Sequence, residues 1–478
     1  MSKTNQYENP FAERYASSEM LYLFSPDFKF RTWRKLWITL ARAEQKLGLP
    51  IQSSQIREME KFQEQINYPS AQKFEKKFRH DVMSHIHAYG QQCPRAKSII
   101  HWGATSSYVT DNTDLIQIKD GTRLILRRLL NVMDGLRNFV LIYKAQPTLA
   151  FTHFQAAQPT TVGKRFCLYL QDLVLDFQEL EFFLTRLKFL GVKGTTGTQA
   201  SFLALFKNEK KVDQLDQAVT QAMGFQKSFT ISGQTYTRKV DSQILNVLSN
   251  IAQSASKFAN DLRLLQHLKE AEEPFEEEQI GSSAMAYKRN PMRAERICAL
   301  ARFVMGLPLN TAMTHATQWF ERTLDDSANK RLVIPQAFLG VDSILRIYQN
   351  ILSGLVIYPD IIEQHLNQEM PFIATENLLM EAVRRGGDRQ KLHEKIRRHA
   401  QTAAEQMKRS GQKNDLMERL IKDKEFPLKS EEIQRILDVR QYTGRSIVLA
   451  QRFIQQEVNP VLKKYRSLLD KKRVELKV

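Results

Sequence analysis

Three short stretches of this 478-residue chain carry residue types that packing alone does not call for. The first is Arg79-His80-Asp81, followed by HWGATSS at 101–107. The second is THFQAAQ at 152–158, and the third is IGSSAMAYKRNPMRAE at 280–295. In the third, Gly281, Ser282, Ser283 and Ala284 are small, whereas Lys288, Arg289 and Arg293 are cationic. Asn290 before Pro291 marks the start of a new helix. A small-residue loop with fixed cations can close over an anion, and excluding water strengthens every electrostatic interaction inside. A serine hydroxyl is a poor base in water and becomes competent where donors and cations stabilise its alkoxide. An ordinary surface loop has the same composition, so this stretch by itself leaves both readings open.

The histidines divide in the same way. His80, His85 and His87 invite a metal, but a helical zinc pair needs its ligands on one face. On a helix His80 and His87 share a face and His85 points away, and no cysteine or paired carboxylate completes a set; no metal is expected. His153 lies in a stretch that reads as a loop, where catalytic groups concentrate, although a lone histidine is more often a structural hydrogen-bonder. GVKGTTGT at 191–198 matches neither a Walker A loop nor a dinucleotide fingerprint, and reads as a tight polar turn able to offer backbone N–H groups. G-x-S-x-G is absent, so a hydrolase nucleophile elbow is not supported.

Helices must position these stretches. From Asp114 to Gln146, Leu115, Ile118, Ile125, Leu129, Val132, Leu136, Phe139 and Tyr143 recur every three or four residues, apart from one gap of seven. That predicts one helix of some thirty residues, suited to a bundle. The stripes Phe166 to Leu187 and Val240 to Leu268 predict two more. Prolines 147, 159, 274, 291, 308, 335, 359 and 371 are expected at helix boundaries. Short β pieces are conceivable only near Phe225–Thr237. The expected organisation is all-α: an N-terminal helical domain over 1–104, a long-helix bundle over 105–357 carrying the loop 276–295, and a C-terminal helical domain over 358–478. The basic final stretch, without a stop signal, is expected to be a helix with a frayed tail.

Composition bounds the class. Gly and Pro together make up about 7% of the chain against roughly 12% in average usage, which favours long elements and few turns. A hydrophobic share of 42% excludes whole-chain disorder. Cys93, Cys167 and Cys298 are too few and too scattered for a disulfide scaffold. The opening MSKTNQYENPF lacks an apolar core, and no window holds ~18 uninterrupted apolar residues. A reduced, cytoplasmic protein with no membrane segment is expected. The formal net charge of +18 fits a nucleic-acid binder, a membrane-surface protein or an enzyme gathering anions. The basic clusters Arg384–Arg398 and Lys463–Lys477 read as solvated helix faces, and aromatics are not interleaved with them at stacking intervals.

Together the stretches become recognisable. GSSAMAYKRNP resembles the GSSxMPxKxNP signature of the fumarase/aspartase superfamily. RHDVMSHIH, HWGATSSYVTDNTDL, FTHFQAAQPTTVGKR, GVKGTTGTQASF, GQTYTRKVD and QWFERTLDDSANKR narrow the likeness to the animal-type adenylosuccinate lyase branch, over about Arg14 to Pro460. The resemblance implies an all-α, fumarase/aspartase-like homotetramer whose long helices share one bundle and whose active sites draw on three subunits. It implies elimination of fumarate from adenylosuccinate to give AMP, and from the succinylated carboxamide ribotide of purine synthesis, with no metal or organic cofactor. The partner is then an anionic nucleotide, with no role for nucleic acid or membrane.

Carried over by position, Ser282 matches the general base that takes a proton from the succinyl CH₂, and His153 the general acid that protonates the departing nitrogen. Arg79, His80 and Asp81 match a substrate-contacting segment, with His101 near it, and Thr105 and Ser106 match hydroxyls that hold a succinyl carboxylate. Lys288 and Asn290 match the residues facing the carboxylate that absorbs the carbanion's charge. Arg14, Tyr15, Arg322, Ser327 and Arg331 match nucleotide and phosphate contacts, with Gln234 and Arg296 at the site. The chemistry fits these types: a developing dianionic aci-carboxylate needs preorganised donors, an amine leaving at neutral pH needs a proton, and a guanidinium fork suits phosphate.

The chain departs from the family pattern where Ala286 and Ala156 replace the usual prolines, which should loosen both segments without affecting the fold. Among rival readings, argininosuccinate lyase has a substrate without phosphate, leaving Arg14, Arg322 and Arg331 without purpose. A non-catalytic relative would not need Ser282, His153 and Lys288 intact. A nucleic-acid module lacks motif context.

Overall fold

Apolar stripes thirty residues long need partners of matching length, and the chain supplies them to itself. The computed structural model describes residues 6–470 and 474–476 and is mostly helical. The bundle is built from helices Ser106–Tyr143, Val162–Arg186, Lys239–His267, Met292–Met305 and Asp326–Leu352. Its core is aromatic in the middle, where Phe258 stacks on Tyr348 at 4.0 Å between ring centroids and Phe166 packs edge-on. Leu115, Ile118, Ile125, Leu129, Val132 and Leu136 are all buried, as their spacing predicts.

The first helix of the bundle is longer than its apolar spacing shows, running 38 residues from Ser106. Its opening turns bury the polar Ser107, Asp111, Asn112 and Thr113 alongside Tyr108 and Val109, and this mixed burial hides the start of the stripe. The gap of seven is also explained. It falls over Gly121, where an added Cβ would come within 2.9 Å of the Phe338 ring, so the neighbouring helix fills the missing place from its side.

Residues before Ser106 form helices that pack over one end of the bundle, with Trp33, Trp37 and Tyr89 buried among them. Ser25 caps the helix Pro26–Lys46 by accepting from the Phe28 N–H at 3.2 Å, with Pro26 at the first helical position. After residue 358 come shorter helices from Pro359–Ile373 to Asn459–Lys464. The basic tail shows only a 3₁₀ turn at Arg466–Leu468; residues 471–473 and 477–478 of that expected helix lie outside the described residues.

Two expectations need correcting. Strands form not at 225–237, where the backbone makes only an isolated bridge between Phe189 and Ser228, but at Pro147–Thr152 and Gln155–Thr161, with a short second pair of Ala271–Glu272 and Val356–Ile357. The first two pair as an antiparallel hairpin that carries Pro147 and Pro159 within it. Pro335 and Pro371 also leave the boundary pattern, lying inside the helices Asp326–Leu352 and Pro359–Ile373. Neighbouring helices supply the packing that tolerates them. Pro335 cannot donate to the Arg331 carbonyl one turn back, which frees that group beside a cavity described below.

The stretch Met292–Ala316 is apolar enough on average to pass for a membrane segment. It breaks at Gly306-Leu307 into two helices, Met292–Met305 and Pro308–Ala316, which pack along Lys239–His267 and Asp326–Leu352.

Candidate active site

At one end of the bundle, helix starts converge on a cavity of about 870 Å³, within the size range of small-molecule sites. It is lined by nine of the expected residues: Arg79, His80, Asp81, Thr105, Ser106, Gln234, Arg322, Ser327 and Arg331. Thr105 and Ser106 stand at the N-terminus of the 38-residue helix. Thr105 makes no side-chain cap there, so the positive end of the helix is open to an anion.

His80 is the N-cap of the helix Asp81–Gln92, and its Nδ1 accepts from the Met83 N–H at 3.3 Å. That bond fixes the tautomer in the neutral ring: the proton sits on Nε2, 3.3 Å from the Ser106 hydroxyl. Arg79 holds the left-handed backbone (φ 55°) that turns the chain into this cap. Arg331 reaches Asp81 at 3.6 Å, and Arg322 donates to Ser107 Oγ at 2.7 Å and Gln234 Oε1 at 2.9 Å.

Beneath the cavity lies a buried charge network not expected from the sequence. Arg238 bridges Asp111 at 2.8 Å and Asp326 at 2.5 Å. Lys330 contacts Asp114 at 2.9 Å and the Tyr236 hydroxyl at 3.0 Å, and that hydroxyl donates to Asp241 at 2.6 Å. Burial alone would raise the pKa of Asp111, but Arg238 and Lys330 outweigh it and hold the carboxyl below its ordinary value. Asp241, with less compensation, is shifted up by burial. Lys29 also lines the cavity, its ammonium 4.9 Å from the Trp33 ring centre, and burial lowers its pKa. Asp111, Asp114, Tyr236, Arg238 and Asp241 were legible only as letters inside TDNTD and TYTRKVD, and Asp326 and Lys330 inside TLDDSANKR, with no assigned role.

His101 does not line the cavity. It accepts a hydrogen bond at Nδ1 from Trp37 Nε1 at 2.9 Å, and burial pushes its pKa down to about 4, so it is a neutral structural ring near His80. The other histidines separate similarly: His85 stacks on Phe30 at 3.8 Å, and His87 lies against Phe78 at 4.8 Å.

The expected proton-transfer residues are elsewhere. His153 and Phe154 are the two-residue turn of the β-hairpin, both at positive φ (52° and 57°), as a tight hairpin turn demands. This hairpin follows the C-terminus of the helix that begins at Ser106, so a helix of about 57 Å separates His153 from the cavity. Ser282 belongs to the loop between Ala271–Glu272 and the helix Met292–Met305. Gln266, at the end of the helix that starts beside Arg238, holds this loop through the Arg289 carbonyl at 3.0 Å, about 40 Å along that helix from the cavity.

Within the loop, Ser282 Oγ accepts from the Met285 N–H at 3.1 Å, and the Asn290 side chain donates to the Gly281 carbonyl at 2.7 Å. Lys288 is exposed. Glu273, buried, accepts from the Arg293 and Ala294 N–H groups at 2.9 Å each and so caps the following helix. Arg296 lines a separate cavity of about 550 Å³ between this loop and the tail segment 474–476. Arg14 and Tyr15 sit in a single turn at Phe11–Tyr15. The Tyr15 carbonyl accepts from Arg346 at 2.7 Å, about 16 Å along the helix beyond Pro335.

The bundle thus presents anion-ready helix starts at one end and a small-residue loop at the other. The general lyase family model matches residues 27–306, more than half of the chain, and a model described as the adenylosuccinate lyase C-terminus matches residues 371–453. The fold is shared with a 3-carboxy-cis,cis-muconate lactonizing enzyme from Pseudomonas putida (TM-score 0.81, 24% identity, 94% of this chain and 99% of that one). A fumarate lyase from Mesorhizobium has it too (TM-score 0.78, 22% identity, 94% and 100%). Adenylosuccinate lyases from Saccharomyces cerevisiae and Schistosoma mansoni are 48% and 44% identical, covering 100% and 98% of this chain and the same shares of their own lengths. The chain belongs to the adenylosuccinate lyase family and is a carbon–nitrogen lyase.

Proposed function

We propose that the enzyme eliminates fumarate from adenylosuccinate to give AMP, and from the succinylated carboxamide ribotide to give the free carboxamide ribotide, as a cytoplasmic homotetramer. The Ser282 alkoxide takes a proton from the succinyl CH₂, and the carbanion's charge passes into the adjacent carboxylate. The C–N bond then breaks, its electrons go to nitrogen, and protonated His153 supplies the proton that nitrogen needs. Lys288 and Asn290 face the charged carboxylate, Thr105 and Ser106 hold the other at the helix start, and Arg322 and Arg331 serve the phosphate. The substrate brings a phosphate and two carboxylates, for which Lys29, Arg79 and Arg322, cavity cations without a carboxylate ion pair among the described residues, are suited.

The observation that carries the assembly is the separation of the parts. No chain can bring its own His153 to its own cavity across a 57 Å helix, so a complete site takes these parts from different copies. Apolar side chains on the outside of the bundle support such contacts: Leu168, Leu175 and Phe182, seven apart on one helix face, are 48%, 54% and 55% exposed. The three cysteines, all free and buried, suit a reducing compartment.

The test is direct. Purified protein given adenylosuccinate should yield AMP and fumarate in equal amounts; no product, with argininosuccinate cleaved instead, would overturn the assignment.

A further inference from the structure

We propose that Lys29 is a positioning residue at the phosphate end of the elimination site. When the substrate's phosphate claims Arg331, the Lys29 ammonium takes over Asp81, and this exchange sets the preference for a phosphorylated substrate. The exchange rests on Arg331 serving the phosphate, as in the proposed reaction. Lys29 belongs to the helix Pro26–Lys46 and lines the cavity at the helix starts, outside every stretch whose residue types suggested chemistry.

Asp81 is fixed in place and its counter-ion is not. Its Oδ1 accepts from the Val82 N–H at 2.8 Å, and its Oδ2 meets Arg331 at 3.6 Å. That ion pair is long and the Arg331 side chain is 65% exposed, so little holds the guanidinium against a phosphate able to take it bidentately. The carboxylates of the buried network are committed: Arg238 holds Asp111 and Asp326, and Lys330 holds Asp114. A phosphate that draws Arg331 away leaves the Asp81 carboxylate facing it, like charge against like, unless another cation moves in.

Lys29 is placed to be that cation. It is half-buried, its ammonium stands 4.9 Å from the Trp33 ring centre and 5.4 Å from that of Phe30, and it makes no ion pair among the described residues. Asp81 is the foremost of the charges that attract it, ahead of Asp114 and Glu75, and Arg331 repels it. The aromatic rings compensate an ammonium less than a carboxylate would. A flexible four-carbon stem lets the three donors turn toward Asp81 without moving the helix. Burial lowers the pKa of Lys29, so a carboxylate gained on substrate entry relieves a desolvation cost that the empty site bears. The departure of Arg331 also removes a repelling charge at the moment the carboxylate becomes free.

Steady-state kinetics with adenylosuccinate, and inhibition by the two products, test the exchange. Lys29→Met should raise KM and the AMP inhibition constant at least tenfold, with kcat and the fumarate inhibition constant within twofold of the parent, because what is lost is binding at the phosphate end. Lys29→Arg should restore AMP binding to within threefold. Both melting temperatures should match or exceed the parent's, since neither variant breaks an ion pair. The deciding arm is a double-mutant cycle: with Asp81→Asn already in place, Lys29→Met should weaken AMP binding less than threefold. A tenfold loss in that background as well would show that Lys29 acts on the phosphate without Asp81, and would overturn the exchange. So would a fall in kcat with KM and AMP binding unchanged, or an equal loss of fumarate binding. Should Lys29→Met fold poorly, Lys29→Gln carries the same comparisons. Arg331→Ala separates the two claims. If it leaves AMP binding unchanged, the phosphate reading of Arg331 fails and the exchange with it; if it weakens AMP binding and Lys29→Met does not, the exchange alone fails.

Discussion

His153 occupies a backbone conformation that most side chains avoid, held there because its turn has only two residues to reverse two strands. The cost suits the proposed role, in which the exposed imidazole projects past its neighbours, whereas the Ser282 hydroxyl turns back to accept from its own loop's N–H groups. His153→Ala and Ser282→Ala should each lower kcat by roughly 10²–10⁴-fold with an unchanged melting temperature, the range for losing a positioned proton carrier. Near-normal turnover in either would refute that residue's role. Glu44 makes a different prediction. It is fully buried, both carboxylate oxygens lack a hydrogen-bond partner among the described residues, and burial raises its pKa from 4.5 to about 8. Between those values the folded chain keeps the proton and the unfolded chain has released it, so stability falls as pH rises through this window. Glu44→Gln cannot ionise. Its stability relative to the parent should therefore improve by more than about 1 kcal/mol from pH 5 to pH 8, read by urea unfolding; a constant difference would sink the idea. At this scale the sequence was legible where residues sit in compact runs, as at 79–81 and 281–290. It was silent on Lys29, Asp114 and Lys330, which meet only when distant helices converge, and on Glu44, whose isolation depends on what surrounds it.

The bundle helices were legible because burial imposes a 3.6-residue period on apolar side chains, and that period survives in the letters of Phe166 to Leu187 and Val240 to Leu268. The hairpin was not, since its turn uses His153-Phe154 where glycine or asparagine would have signalled it, and its second strand contains Pro159. Nor was the true start of the first bundle helix, whose opening turns bury polar side chains around the charge network. The loop around Ser282 is an element with a testable stiffness. Ala286 stands at the proline position of the signature this chain resembles, and its N–H donates no hydrogen bond among the described residues, so proline would cost no bond there. Ala286→Pro is expected to raise kcat/KM at least twofold by narrowing the loop's conformations, with the melting temperature unchanged or slightly higher. An unchanged kcat/KM would defeat this account.

The whole molecule reads as two half-sites held apart by a rigid core. In the proposed reaction the cavity end binds and the hairpin-and-loop end does chemistry, an arrangement that composition could not reveal, although the scarcity of turn formers pointed to long helices. His80→Ala and His153→Ala chains should each be inactive alone, one damaged at each end. Mixed in equal amounts under conditions that exchange subunits, they should regain roughly a quarter of normal activity, because a site built from the intact end of each is whole. No recovery after verified exchange would show that one chain supplies both ends. Part of the charge of +18 also becomes easier to place: Lys29, Arg79, Arg238, Arg322, Lys330 and Arg331 line the cavity at the helix starts.

The 38-residue helix has one more consequence. In the proposed assembly it works as a gauge block: its length sets the distance between the place where a chain would receive substrate and the place where it would serve a neighbour. Every subunit must be cut to the same measure. Inserting one turn would displace the hairpin by about 5 Å and misalign a site in another copy while leaving the chain's own cavity intact. A defect of length is therefore exported, and a single faulty chain would spoil catalysis in a partner that is itself without error.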